Sequence, residues 1–111
     1  MRMFSVIRNL FKRKPMWYSP EDPTPRVKCE CCEYISIAES GNYLICPVCF
    51  WEDEGTGWEL DEPSGANHGL TIRQGRENFH KYGASESKMV KNVISVEERN
   101  NYEYRPDENT L

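Results

Sequence analysis

The sequence contains no long run of hydrophobic residues. A membrane-spanning helix needs about 18 consecutive apolar residues, so no transmembrane segment is expected. The apolar residues near the N-terminus alternate with Arg8, Asn9 and Lys12, and no small-residue cleavage site follows them. That arrangement differs from a secretory leader. We therefore expect a cytoplasmic protein whose thiols stay reduced.

The sequence also lacks the short motifs of common enzyme classes. It has no G-x-S-x-G elbow, no Walker-type glycine loop and no recognisable Ser/His/Asp set. Its two histidines are His68 and His80, for which surface or hydrogen-bonded structural roles are predicted rather than metal ligation. We therefore predict a non-enzymatic protein.

Positive charge is scarce outside the first fourteen residues. The 111-residue chain has 14 basic and 18 acidic residues and a net charge of −4. Residues 1–14 hold five of the bases and no acid, so they carry +5; the other nine bases and 18 acids give the remaining 97 residues −9. This distribution excludes a basic nucleic-acid-binding surface over the whole protein. It favours an acidic body that binds basic partners.

Composition divides the chain into four segments. Residues 1–14 have apolar residues at helical spacing, which predicts a basic amphipathic segment that contacts a membrane peripherally or docks on a partner. A disordered extension and packing against the acidic body of the same chain are the alternatives. Four prolines make residues 15–26 a predicted linker. Residues 27–94 form the predicted zinc-binding domain. Residues 95–111 are polar and lack periodicity, which predicts a mobile tail.

Four of the five cysteines form two C-x-x-C units with 13 residues between them: Cys29 with Cys32, and Cys46 with Cys49. Two cysteines three positions apart on a tight turn aim both sulfurs at one point, and two such turns complete a tetrahedron around a metal ion. We predict one structural Zn²⁺ ion on these four thiolates. Iron is the alternative, because four thiolates suit both metals. The fifth cysteine, Cys31, is predicted to be a spectator thiol; an alternate ligand and a redox or metal-transfer thiol are the other interpretations.

The residues between the two cysteine units predict a β-hairpin. Residues 34–38 alternate as a strand, residues 39–42 are typical of a turn, and residues 43–45 return as a second strand. The predicted fold is therefore a small α+β domain. It consists of a zinc-ribbon or rubredoxin-like hairpin with two cysteine knuckles, packed against one or two short helices.

The first of these helices has recognisable ends. Thr71 and Gln74 have the spacing of a capping box, and Gly83 suits the position just after the last turn. Three apolar residues fall near one helix face: Ile72, Phe79 and Tyr82. Gly75 inside the helix indicates a close packing contact, since glycine is otherwise unfavourable there. A second short helix is predicted over residues 85–93, with Met89, Val90 and Val93 facing inward.

Two sequence blocks are distinctive: Cys46-Pro47-Val48-Cys49-Phe50-Trp51-Glu52-Asp53, and Gly75-Arg76-Glu77-Asn78-Phe79. With the first cysteine unit they resemble the cysteine-rich CPCC family of small bacterial proteins. The resemblance covers about residues 27–90 and implies a zinc-ribbon-like module. Two positions depart from the expected pattern: Glu30 stands where the family name expects proline, and Glu33 stands where a knuckle often has glycine.

An acidic stretch with two tryptophans follows the second cysteine unit. The predicted partner-binding residues in it are Trp51, Glu52, Asp53, Glu54 and Trp58. The predicted function is a small acidic protein-interaction module, such as an inhibitor or immunity-type protein, that binds a basic protein. One alternative is a nucleic-acid-binding zinc ribbon that uses the basic N-terminal arm. Another is a redox or metal-handling protein that uses Cys31.

Overall fold

The computed structural model of the protein describes residues 18–107, and the predicted basic segment at residues 1–14 lies outside them. The described chain has a small α+β fold built from short elements. In chain order they are β1 (Val27–Lys28), β2 (Tyr34–Ile37), a 3₁₀-helix (Gly65–Asn67), α1 (Ile72–Tyr82), two further 3₁₀-helices (Ser87–Asn92 and Glu97–Asn101) and β3 (Glu103–Tyr104). Over residues 18–107, none of the helices has the length and apolar character needed to cross a bilayer.

β2 is the central strand of a three-stranded antiparallel sheet. On one side β1 pairs with it, with Val27 opposite Ile37, and on the other side β3 pairs with it, with Tyr34 opposite Tyr104. The first cysteine unit lies in the turn between β1 and β2. The sheet therefore positions one of the two predicted ligand pairs.

The predicted hairpin between residues 34–38 and residues 43–45 is wrong. Residues 43–45 pair instead with residues 51–53, where Ile45 and Glu52 form an antiparallel bridge. Each C-x-x-C unit makes a tight turn that pairs the residues on its own two sides, so each unit forms a local hairpin. Both sides of β2 are already paired, with β1 and β3.

The structure also differs from the prediction for residues 95–111. The described part of this segment contains a 3₁₀-helix and strand β3. Tyr104 packs on Tyr34 with 5.0 Å between the ring centroids, and the Arg105 N–H donates to the Glu33 carbonyl oxygen at 2.9 Å. Pairing with a distant strand gives the segment its structure, and no local periodicity in the sequence reports such pairing.

Helix α1 confirms the predicted helix and both of its ends. The Thr71 hydroxyl accepts the Gln74 N–H, and the Gln74 side chain accepts the Thr71 N–H, each at 3.0 Å. Gly83 follows the helix with a φ of 91°, in the left-handed region that favours glycine. Of the three apolar residues predicted to share a helix face, Ile72 and Phe79 are buried, whereas Tyr82 is 42% exposed.

The predicted second helix is present as the 3₁₀-helix Ser87–Asn92. Val90 was predicted to face inward, but it is 45% exposed, whereas Met89 and Val93 are half-buried. Adjacent residues of a 3₁₀-helix point about 120° apart around its axis. Met89 and Val90 therefore cannot both face the core.

The hydrophobic core includes all five cysteines. Apart from the cysteines themselves, its buried members are Ile37, Val48, Trp51, Ile72 and Phe79. Trp51 follows the second cysteine turn and packs under α1 at Gly75, where the missing side chain lets the helix approach the indole ring. The close contact predicted for Gly75 is therefore confirmed.

Gly75→Ala is expected to destabilise the protein by about 1–3 kcal/mol through overpacking, although alanine is the better helix former by about 1 kcal/mol. An added Cβ would lie 2.9 Å from Cζ3 of Trp51 and 3.1 Å from Sγ of Cys31. Gly65→Ala is the matched control, since nothing lies within 4 Å of a Cβ there. Urea unfolding of the two variants measures the difference. A Gly75→Ala protein as stable as the Gly65→Ala protein would contradict the close packing.

Candidate metal centre

Both C-x-x-C units form the same backbone turn. In the first, the Glu33 N–H donates to the Cys29 carbonyl oxygen at 2.9 Å; in the second, the Phe50 N–H donates to the Cys46 carbonyl oxygen at 2.8 Å. The repeated spacing in the sequence thus produces a repeated turn. Each turn presents two cysteine side chains to the same part of the interior.

The residue that follows each unit adopts the left-handed backbone conformation. Glu33 has a φ of 68° and Phe50 a φ of 72°. This region favours glycine, and other residues adopt it at a cost of roughly 1–2 kcal/mol. Glu33 therefore takes the conformation for which knuckles often use glycine, and the first turn keeps the same hydrogen bond as the second.

The two turns bring the four predicted ligands together. The sulfurs of Cys29, Cys32, Cys46 and Cys49 all lie within 4.8 Å of one another. Between the turns, the Cys29–Cys49 and Cys32–Cys46 sulfur pairs are each 3.6 Å apart. A disulfide would need about 2.05 Å, and all four thiols are free. None of the four residues is more than 3% exposed.

The geometry and chemistry of these sulfurs suit a four-coordinate metal ion. A zinc–sulfur distance of about 2.3 Å places the sulfurs of a tetrahedron about 3.8 Å apart, close to the separations of the two sulfur pairs. Thiolates are soft ligands that select ions such as zinc and iron. Among the described residues, no histidine or carboxylate belongs to the group. These four cysteines could therefore hold one metal ion without any other ligand.

Protons and a metal ion compete for the four sulfurs. Burial raises the pKa of the Cys29, Cys32 and Cys49 thiols well above the usual range. Burial also opposes ionisation of Cys46, but hydrogen bonds from the other three thiols and from the Ser36 hydroxyl hold the pKa of Cys46 well below its usual range. In the metal-free protein Cys29, Cys32 and Cys49 are therefore protonated at neutral pH, and Cys46 ionises most readily of the four.

Binding of one Zn²⁺ ion at neutral pH is expected to release protons, because burial keeps Cys29, Cys32 and Cys49 protonated in the metal-free protein. Because the metal-free pKa of these thiols is raised, protons displace the metal as the pH falls, and the stability that the metal contributes is lost in the same direction. Titration of metal-free protein in a weakly buffered indicator solution measures the release. Mg²⁺, which prefers oxygen ligands, is the control. Release of no protons would contradict the expectation.

Both cysteine turns and helix α1 fall within a region typical of one protein family. The family model described as Cysteine-rich CPCC matches residues 27–100. The chain belongs to the cysteine-rich CPCC family. The resemblance seen in the sequence is thereby confirmed. Comparisons with curated proteins and with solved structures find no match.

The fifth cysteine of this CPCC domain, Cys31, lies outside the ligand cluster. It is 1% exposed, and it packs against Gly75 on helix α1. The cluster of sulfurs within 4.8 Å of one another does not include it. Cys31 therefore lies between the first cysteine turn and the helix, and its role as a spectator thiol stays a prediction.

Arg76 ties helix α1 to the first cysteine turn of the CPCC domain. Its Nε donates to the Glu30 carbonyl oxygen at 2.9 Å, and another guanidinium nitrogen lies 3.6 Å from the Glu33 carboxylate. Glu33 is 1% exposed, and its carboxylate also accepts the Asp107 N–H at 2.8 Å. The sequence prediction missed this network. The sequence does contain a pattern that could have predicted the network: Arg76 lies one turn after Ile72 on the apolar helix face, where a charged side chain needs a partner.

The five predicted partner-binding residues do not all lie on the surface. Trp51 is 3% exposed and Asp53 is 1% exposed, so neither is available to a partner, and the prediction is corrected for both. Trp51 is part of the hydrophobic core. The Asp53 carboxylate accepts the Gly41 N–H at 2.8 Å, and burial raises the pKa of Asp53. The other three residues are partly exposed: Glu52, Glu54 and Trp58.

Asn67 holds the start of the acidic stretch against the domain. Its side-chain Nδ2 donates to the Glu52 carbonyl oxygen at 2.9 Å, and its Oδ1 accepts the Glu52 N–H at 2.8 Å. Nδ2 also lies 2.9 Å from the Ser64 hydroxyl. The buried Asn67 amide thus pairs with both backbone groups of Glu52, as a residue of a neighbouring strand would. The sequence prediction missed this role of Asn67.

Proposed function

We propose that the chain is a non-enzymatic protein that binds one structural Zn²⁺ ion through Cys29, Cys32, Cys46 and Cys49. The closed donor set carries the proposal: four buried sulfurs lie close enough together to supply all the ligands of a tetrahedral site. Catalytic zinc sites have three protein ligands and keep one position open. Two facing cysteine turns beside a three-stranded antiparallel sheet support a zinc-ribbon-like fold. A reducing compartment such as the cytoplasm is part of the proposal, because the thiols must stay reduced to bind metal.

Elemental analysis tests the zinc assignment. Zinc is proposed over iron because a redox-inert ion suits a purely structural role. Protein purified from cells grown with both metals is expected to contain one zinc per chain, and Cys49→Ser is expected to lose it. If the protein contains one iron per chain, the proposed metal becomes iron and the proposed four-cysteine site is retained. The absence of any stoichiometric metal would overturn it.

We further propose that the acidic face binds a basic segment of a partner protein. A surface depression is lined in part by Glu30, Glu54, Trp58 and Glu62. Carboxylates beside an aromatic ring suit a lysine or arginine side chain, which combines ion pairing with a cation–π contact. The net charge of −9 outside residues 1–14 supports a basic partner, and four thiolates with Zn²⁺ would add further negative charge.

Calorimetric titration with an arginine-rich peptide tests this face. Glu54→Gln combined with Glu62→Gln is expected to weaken binding several-fold at low salt, because both carboxylates line the depression. Glu77→Gln combined with Glu97→Gln removes the same charge from exposed positions outside it. If both pairs weaken binding equally, the attraction depends on net charge alone, and the proposed site is wrong.

The basic segment at residues 1–14 favours a different function, nucleic-acid binding, because its charge is +5. Chromatography on single-stranded DNA at several salt concentrations separates the two proposals. Salt-sensitive retention of the full chain that disappears when residues 1–14 are deleted, together with no binding of the basic peptide, would replace the interaction-module proposal with this one.

A further inference from the structure

We infer that Ser36 is a positioning residue for the metal centre, which it adjusts by hydrogen bonding to the sulfur of Cys46. This inference rests on the proposed metal binding and extends it to a residue outside the ligand set. Ser36 lies on the central strand β2, and its side chain is buried, with 7% of the residue exposed. Its Oγ lies 3.0 Å from Sγ of Cys46, and 3.3 Å from the Tyr34 carbonyl oxygen.

Two polar groups outside the four cysteines lie within hydrogen-bond distance of the Cys46 sulfur. The Val48 N–H lies 3.3 Å from Sγ of Cys46, inside the same turn. The Ser36 hydroxyl approaches from another element, the sheet. The turn alone accounts for the first contact, because the donor is two residues away. The second contact requires that β2 and the second cysteine turn be packed together, so it links the sheet to the ligand set.

The chemistry of a buried tetrathiolate gives this contact its effect. A metal-bound Cys46 is a thiolate and accepts hydrogen bonds, so the Ser36 hydroxyl has a reason to donate to it rather than to the Tyr34 carbonyl. Four thiolates with Zn²⁺ leave a net charge of −2 in a buried site, where negative charge is unfavourable unless donors compensate it. Partners of metal ligands typically contribute 10–100-fold to metal affinity. A donated hydrogen bond also withdraws electron density from sulfur and makes it a weaker nucleophile.

Three measurements on the full chain test the role of Ser36. In Ser36→Ala, competition with a chelator is expected to show roughly tenfold weaker zinc binding. In the zinc-loaded protein, iodoacetamide is expected to alkylate Cys46 faster relative to the other three ligands, as read by mass spectrometry of peptides. In the Co²⁺-substituted protein, the sulfur-to-cobalt charge-transfer band is expected to move to longer wavelength, because the sulfur lone pairs rise in energy without the donor.

Matched variants separate this effect from a general loss of stability. Ser36→Thr and Ser36→Val have nearly the same volume, and only threonine keeps a hydroxyl, so Ser36→Thr should retain wild-type values and Ser36→Val should behave like Ser36→Ala. Ile37→Val removes a methylene from the neighbouring buried residue on the opposite face of β2. It should lower the unfolding temperature and leave the alkylation pattern and the cobalt spectrum unchanged.

The outcomes distinguish this inference from the proposal on which it rests. If the wild-type protein binds no metal, the proposed function fails and the inference fails with it. If the wild-type protein binds zinc and Ser36→Val matches Ser36→Thr in all three measurements, the inference alone is overturned. The same holds if Ile37→Val reproduces the changes seen in Ser36→Ala.

Discussion

Cys49→Ser is expected to abolish the cooperative thermal unfolding of the domain. Structural zinc contributes roughly 10–16 kcal/mol in small peptides, as much as or more than the net stability of about 5–15 kcal/mol typical of a whole domain. The effect should be large here, because all four candidate ligands are members of the buried hydrophobic core. Loss of the metal would remove the link that holds the two turns together. Circular dichroism during heating, with or without a chelator, measures the loss.

Cys31→Ala is the matched control for this experiment. Cys31 is as buried as the ligands but lies outside the sulfur cluster. Its removal should lower the unfolding temperature by a few degrees and leave a cooperative transition that still responds to chelator. If Cys49→Ser unfolds as cooperatively as Cys31→Ala, or if chelator leaves the wild-type transition unchanged, the metal is not what stabilises this domain.

Arg76→Met is expected to destabilise the protein by about 3 kcal/mol, near the lower end of the range for losing one partner of a buried ion pair. The side chains of Arg76 and Glu33 are 14% and 2% exposed, and their charged atoms are 3.6 Å apart. Methionine keeps the apolar stem but removes the charge that faces Glu33 and the donor to the Glu30 carbonyl oxygen. Denaturant unfolding of the metal-loaded protein measures the loss.

Two further variants isolate the charge effect. Arg73→Met removes a surface ion pair with Asp61. The Arg73 side chain is 54% exposed and the Asp61 side chain is 70% exposed, so the loss should be less than about 1 kcal/mol. Combining Arg76→Met with Glu33→Gln should recover part of the loss, because a neutral amide is easier to bury than a carboxylate. Equal losses in Arg73→Met and Arg76→Met, with no recovery in the double variant, would mean that the network contributes only packing.

Features closed by short-range hydrogen bonds could be predicted from the sequence. Each C-x-x-C turn is closed between residues four positions apart, such as Cys29 and Glu33. The capping box of α1 joins Thr71 and Gln74. Such contacts depend on neighbouring residues, so residue type and spacing are enough to predict them. The close packing at Gly75 could be predicted as well. Glycine is unfavourable inside a helix, so its presence there indicates that a larger side chain would not fit.

Features that depend on distant residues could not be predicted in this way. Asp53 is one acidic residue among several in its stretch, and it is buried because the Gly41 backbone, 12 residues earlier, donates to it. Strand β3 forms because β2 has an open side to pair with. Nothing in the residues next to Asp53 or in β3 itself carries this information.

The sequence by itself therefore determined the four candidate ligands, the helix with its caps and the acidic character of the body, since each depends on residue type and local spacing. Only the tertiary structure decided the rest. It paired each cysteine turn with its own flanking residues, buried Trp51 and Asp53, and placed Arg76 beside the first cysteine turn and Ser36 beside Cys46. The physical reason is that these arrangements arise from contacts between segments far apart in the chain, which are chosen together when the core packs.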